Sequence, residues 1–467
     1  MRGTRKRSWR ALAGLVLATA GVAPAARAQE AWTLADALDP PDWLTVQGET
    51  RVRYETLDGQ FRAGGQGGDQ GLFIRTLLQA EADAGAVTFG LELQDARGYF
   101  DDAGTPLSGT VINPLDVLQA YARIETGAGP GASALTLGRQ TLDIGSGRVV
   151  ERADYVNAIN GFTGAYLRTE LERGDELHAF YVAPVGARPA DRAGLEDNTL
   201  SGDEEEWGRR FWGVHYRRPL TFGPPGLPAW VELYLYGLRE RDTADAPTPN
   251  RDYLQPGLRI ARAPQARRVD FDVEASWRTG ARRETADPRD VRDLDVSAWT
   301  VHAEAGYRFA VPWRLRASVN YDYASGDDAP GDGRFDQFER LFGARRTDLG
   351  HTGLFGPLTP ANLSAPGVRF EIAPTRRTDA RFSYKHASLA EARDAWVVAR
   401  VRDPAGASGR FIGHLLDGRV RHRMRNDALL LEAGGGALLN GRFASDAPNA
   451  SRQGDALYGY LQITHLF

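Results

Sequence analysis

Between residues 268 and 278 the chain alternates with a period of two: Val269, Phe271, Val273, Ala275 and Trp277 interleave with Arg268, Asp270, Asp272, Glu274, Ser276 and Arg278. The pattern recurs at 298–308, where Trp299, Val301, Ala303, Ala305 and Tyr307 interleave with Thr300, His302, Glu304 and Arg308. It recurs at 313–323, with Trp313, Leu315, Ala317, Val319 and Tyr321 against Arg314, Arg316, Ser318, Asn320 and Asp322. Successive side chains of a strand point to opposite faces, so each stretch predicts a β-strand with one apolar and one wet environment.

A soluble sandwich alternates too, and three features separate the cases. The stretches run for about ten residues, the length at which a tilted strand crosses hydrocarbon. Aromatic residues (Tyr54, Trp277, Trp299, Trp313, Tyr321) sit at their ends, where girdles meet lipid headgroups. The polar faces are ionic, as a water-filled lumen requires. Short turns such as Asp83-Ala84-Gly85 alternate with long loops at 185–207, 240–252 and 324–366, the asymmetry of outer-membrane barrels.

Candidate strands fall near 44–56, 73–83, 86–97, 116–125, 133–141, 162–171, 175–183, 209–217, 229–239, 254–262, 267–278, 295–308, 312–323, 367–373, 377–386, 411–423, 427–439 and 455–467. The expected fold is therefore all-β, a transmembrane antiparallel up-and-down barrel over 44–467 with 18 strands, or 16 if the weakest candidates fail. Such a wall encloses an aqueous channel.

The N-terminus supports that compartment. Arg2, Arg5, Lys6, Arg7 and Arg10 precede an apolar run from Ala11 to Val22, and Ala26-Arg27-Ala28 supplies a small-x-small cleavage pattern. This predicts a signal peptide over 1–28, followed by a short periplasmic segment at 29–43 with a helical turn around Thr33 to Leu38. The last residues, Tyr458 to Phe467, alternate and close on an aromatic residue, resembling the terminal signal read by the barrel assembly machinery. Cysteine is absent, so no disulfide or thiolate metal site is expected. Beyond the leader's six cations, 51 basic residues face 61 acidic ones, an imbalance that excludes a nucleic-acid binder.

Other residues carry a resemblance. Leu137-Gly138-Arg139-Gln140, Gly145-Ser146-Gly147-Arg148 and Asn160-Gly161-Phe162-Thr163-Gly164 are similar to motifs of the alginate export family of outer-membrane barrels. So are Tyr321 to Asp328, Gly331-Asp332-Gly333, Phe335-Asp336, Leu341-Phe342 and Leu354-Phe355-Gly356. The resemblance implies a monomeric 18-stranded barrel with an arginine-rich conduit for a polyanionic polysaccharide, gated by long loops or turns. Arg139 and Arg148 fall on the motif positions, and Arg152 lies just beyond. The sequence departs from the family in its acidic 185–207 loop.

The wet faces carry Arg51, Arg53, Arg75, Arg123, Arg314, Arg316, Arg381, Arg419, Arg421 and Arg423. A guanidinium presents a planar donor fork matched to carboxylate and keeps its charge, and a ladder of them favours anions in a pore. The alternative is that each pairs with a wall acid, among them Glu49, Glu55, Glu81, Glu92, Asp322 and Asp417. The expected partners are an anionic polysaccharide or another anionic solute, together with outer-membrane lipid and lipopolysaccharide; a small-anion diffusion porin is the alternative. An outer-membrane enzyme is the distant third: the eight histidines are scattered singly, without a nucleophile at motif spacing. No cofactor or metal is expected, and Asp327, Asp328, Asp332 and Asp336 read as a solvated acidic loop because their spacing does not match a calcium loop.

Overall fold

The computed structural model describes residues 32–127, 129–220, 229–242 and 247–467; the leader expected at 1–28 lies outside them. In chain order the strands are β1 (Leu44–Asp58), β2 (Asp69–Asp83), β3 (Val87–Tyr99), β4 (Asn113–Thr126), β5 (Ser133–Gln140), β6 (Phe162–Glu170) and β7 (Glu176–Gly186). There follow β8 (Glu204–Glu205), β9 (Arg209–Leu220), β10 (Ala229–Glu240), β11 (Asp252–Arg262), β12 (Val269–Arg283), β13 (Asp293–Arg308) and β14 (Arg316–Ala324). The last are β15 (Arg334–Phe335), β16 (Leu363–Ile372), β17 (Thr378–Ser388), β18 (Phe411–Met424), β19 (Leu429–Asn440) and β20 (Ala456–Leu466).

Two of these, β8 and β15, are two-residue strands set in loops. The other 18 pair antiparallel with their neighbours, and β20 returns to β1 with Ile463 opposite Val52. Closure leaves no unpaired edge, the condition for a sheet to sit in hydrocarbon. All 18 strands expected from the alternation are present, including the weakest three. No helix among the described residues is long and apolar enough to cross a membrane.

The alternation sets which face is which. On β1, Arg51, Arg53 and Glu55 are buried inside the barrel, while Val52 and Tyr54 are exposed on the outer surface. Trp277 and Trp299 are likewise exposed, opposite each other on β12 and β13. Short turns, such as 84–86 and 425–428, gather at one end with the helix α1 (Leu34–Leu38), which Thr33 caps by accepting the Asp36 N–H at 3.1 Å. Long loops, such as 141–161, 187–208, 325–362 and 389–410, occupy the extracellular end.

Two of those loops do not stay at the rim. An eighteen-stranded wall is too wide for its own side chains to fill, and the 141–161 and 325–362 loops fold into the space. They join along Val149–Glu151 and Phe342, with the Phe342 N–H donating to Val149 O at 3.1 Å. Leu142, Ile144, Val149, Phe338 and Leu349 from the loops pack with Phe162, Phe180, Phe211 and Tyr236 of the wall in one buried core. The interior is thus partly a packed core rather than an open water column. The acidic loop also departs from expectation: Asp327 is buried, and its N–H donates to Asp394 at 2.9 Å.

Candidate solute pathway

Three wall arginines grip the 141–161 loop by its backbone. Arg51 donates to the carbonyls of Asp154 and Val156, both at 2.6 Å. Arg53 donates to Tyr155 O at 2.7 Å, and Arg75 to Asp154 O at 2.8 Å. Asn157 adds bonds to Ile74 O, Arg97 O and Val111 O. A loop running through a barrel has no ladder partner for its carbonyls, and a buried carbonyl must be satisfied; guanidiniums supply the donors. The Tyr155 ring meets two guanidiniums, Arg53 of the wall at 4.4 Å and Arg346 of the 325–362 loop at 3.5 Å from its centroid.

This strap divides two cavities. On the extracellular side is a space of about 460 Å³ lined by Arg53, Arg62, Arg340, Arg345, Arg346 and Asp154, among others. On the periplasmic side is a space of about 910 Å³ lined by Asp36, Glu49, Glu92, Arg152, Asp154 and Phe467, among others. Asp154 lines both, so a solute moving between them passes the strap.

Most of the other arginines singled out in the sequence are paired. Arg148, in the 141–161 loop, reaches Asp272 at 3.1 Å, Glu274 at 2.7 Å and Asp348 at 2.8 Å, tying both interior loops to β12. Arg316 is buried among Asp270, Glu304 (2.7 Å) and Glu371 (2.9 Å). Arg152 pairs with Glu92 at 2.8 Å, Arg53 with Glu55 at 2.7 Å, and Arg123 with Glu81 and Glu125 at 3.3 and 3.0 Å. Arg75 also meets Glu49. The pairing alternative therefore describes these positions.

Two expected positions are corrected. Arg314 is not on a strand: it sits exposed in the 309–315 turn with φ 51°. Arg139 leaves the lumen face. Its neighbour Gln140 is buried opposite Phe162 of the core, so Arg139, opposite Thr163, points to the other side of the wall. There it binds Glu205 at 2.7 Å and Asp116 at 3.2 Å.

The β17–β18 wall is different. Arg381 stands directly opposite Arg419, and Asp379 opposite Arg421. Asp379 serves both Arg421 (3.0 Å) and Arg423 (3.3 Å), and Asp417 lies 3.6 Å from Arg381. Arg419 forms no ion pair among the described residues; it stands opposite Gly434 on β19, over which the Tyr460 ring packs.

Charge is also uneven where the β13–β14 wall meets the 325–362 loop. His302, Asp322 and Asp348 converge closely enough to suggest a cation site. However, Lys385 donates to Asp322 at 2.5 Å and Arg148 to Asp348, so the knot is already compensated. Burial works against ionisation of Asp348, yet Arg148 and His302 hold its carboxyl below the usual range. Glu151, at the loop crossing, is pushed up to about 7 by burial and by Asp143, Asp154 and Asp348. Four pathway arginines escaped the sequence reading: Arg62, Arg340, Arg345 and Arg346 lie in loops, where no alternation flags them.

Comparisons agree with this architecture. The family model described as alginate export matches residues 42–455. A search of curated proteins finds no matching sequence. Among solved structures, the chain is similar to OpdQ of Pseudomonas aeruginosa, at 12% identity and TM-score 0.55, with 91% of this chain and 97% of that one covered. It is similar to OccAB3 of Acinetobacter baumannii, at 11% identity and TM-score 0.58, with 91% and 99% covered. It is also similar to the outer membrane protein opdK of Pseudomonas aeruginosa, at 12% identity and TM-score 0.54, with 91% and 98% covered. At these identities the likeness is one of fold.

Proposed function

This chain belongs to the alginate export family, and from that premise we propose that it is an outer-membrane channel selective for anions, with an acidic polysaccharide or its oligomers as solute. The observation that carries this reading is the inward pair Arg381 and Arg419. Like charges directly opposite on neighbouring strands cost stability, and among the described residues Arg419 makes no ion pair of its own to offset that cost. Together with Arg421 and Arg423 it forms a strip of four guanidiniums whose ion-pair partners are Asp379 and Asp417, with Glu371 opposite Arg381 and Glu432 opposite Arg421. Such a strip lowers the electrostatic cost of an anion entering a narrow water column, while pairing keeps each site weak enough to release it.

A second reading has its own support. With the strap across the lumen, the two cavities have the size of sugar units rather than of a polymer path, which favours passage of small organic anions. Both readings place the protein as a monomer among outer-membrane lipid and lipopolysaccharide, assembled through Phe467. Efflux from proteoliposomes tests the shared element. Glucuronate should leave faster than glucosamine of the same size, and faster loss of the cation would overturn the anion reading.

A further inference from the structure

The cavity outside the strap has a charge balance unlike the rest of the interior. Arg62, Arg340 and Arg345 line it, and none of the three forms an ion pair among the described residues. They are held by neutral acceptors instead. Arg62 donates to Gln60 Oε1 at 3.1 Å and Phe355 O at 2.7 Å, Arg345 to Gly356 O at 3.1 Å and Leu358 O at 2.8 Å, and Arg340 to Gly343 O at 2.5 Å. Arg340 and Arg345 each use only one terminal nitrogen in these bonds, and a guanidinium carries five N–H donors. Several therefore remain to face the cavity, and the Arg340 side chain is open to it.

These charges oppose one another. Burial, then Arg340 and Arg62, push Arg345 down to about 9, and burial pushes Arg62 down to about 10. All three remain cationic at neutral pH. The carboxylates on the same cavity do little to offset them. Glu55 is taken up by Arg53 and by the Leu354 N–H at 2.8 Å, and Asp154 pairs with Arg152 at 3.2 Å. Glu151 holds its proton to about pH 7. Unpaired cations crowded in a partly enclosed space, as the half-buried Arg62 and Arg345 are beside the exposed Arg340, are costly unless an opposite charge joins them.

We propose that Arg62, Arg340 and Arg345 form a carboxylate-binding site in the extracellular vestibule, built from loops and separate from the β17–β18 strip, that holds a single acidic sugar unit before the strap. The space of about 460 Å³ suits one such unit. Leu107, Leu341 and Leu354 give it an apolar flank for a ring face, and the free N–H groups meet a carboxylate in the fork geometry arginine favours. The inference rests on the anion reading of the lumen and adds a place and a ligand class to it.

Calorimetry on the purified full chain in detergent, titrated with galacturonate and with galactose, tests the site. Galacturonate should bind and galactose should not. Arg340→Gln with Arg345→Gln should weaken galacturonate by about tenfold or more, as loss of charged hydrogen bonds implies. Arg340→Gln alone, at an open side chain that leaves the fold intact, should show an intermediate loss. Arg314→Gln, in an exposed turn away from the lumen, should leave this binding unchanged. Absent galacturonate binding, equal binding of galactose, or full affinity in the Arg340→Gln, Arg345→Gln protein would each overturn the site. Ion selectivity is read separately, so a cation-selective pore that still binds galacturonate would sink the transport reading and spare the site.

Discussion

The guanidinium of Arg346 lies 3.5 Å from the centroid of the Tyr155 ring, and it is held there by Glu432 and the Tyr460 hydroxyl (2.9 Å) on the β19–β20 wall. One interior loop thus clamps the other through a cation over an aromatic face. Arg53 lies 4.4 Å from the same centroid, and contacts of this kind contribute roughly 0.5–2 kcal/mol each when desolvated. Tyr155→Ala should loosen the strap and raise single-channel conductance or open time several-fold by this loss. Tyr155→Phe should stay close to wild type, because the ring, not the hydroxyl, makes the contact. Equal behaviour of the two variants in planar bilayers would remove Tyr155 from the barrier.

Arg314 and Arg316, two residues apart, should differ sharply in their effect on stability. Arg316→Gln leaves Asp270, Glu304 and Glu371 crowded around a missing charge. Breaking a buried ion network in this way costs about 3–5 kcal/mol. Arg314→Gln, in an exposed turn, should cost at most about 0.5 kcal/mol. Urea midpoints of the detergent-folded barrels check the contrast; similar midpoints for both would mean that the Arg316 network does not hold the wall.

The strand pattern was legible in the sequence because the bilayer and the lumen impose opposite chemistries on alternate residues, as Val269 and Asp270 illustrate. Legibility failed where that alternation stops. The rhythm of 313–323 continues through Arg314 on paper, but the backbone there is still a turn. At Arg139 the family motif points to the lumen, whereas the alternation itself, with Leu137 exposed and Thr136 and Gln140 buried, puts Arg139 on the outer face. The interior loops were hidden for another reason: Arg51 meets Asp154 across 103 residues, and nothing local to either announces the other. An inward arginine looks the same in sequence whether it faces water, an acid or a carbonyl. Arg340, Arg345 and Arg346 form a basic cluster in an otherwise acidic loop, and that was the available signal for the vestibule.

Glu151 gives the loop crossing a pH dependence. Its carboxyl is raised to about 7 by burial and by Asp143, Asp154 and Asp348. A raised acid binds more protons in the packed state than in the loosened one, so the crossing is strongest below about pH 4.5, the ordinary carboxyl range, and weakens as pH rises to about 7. Hydrogen exchange of the 149–156 and 342–344 amides should therefore quicken beyond the intrinsic rate between about pH 5 and pH 7, and the excess should level off above that. Glu151→Gln should abolish that excess. The same excess in the glutamine variant would assign it to another group.

The central claim is that an inward guanidinium strip makes this net-acidic barrel prefer anions. The sign of the zero-current potential of single channels in a potassium chloride gradient tests it directly, since lumen charge acts locally while loop charge is screened within about 10 Å at 0.1 M salt. Anion preference is the expected result for the wild type, reduced toward zero when Arg419, Arg421 and Arg423 are together replaced by glutamine. A cation-selective wild type, or an anion preference untouched by that triple substitution, would contradict it.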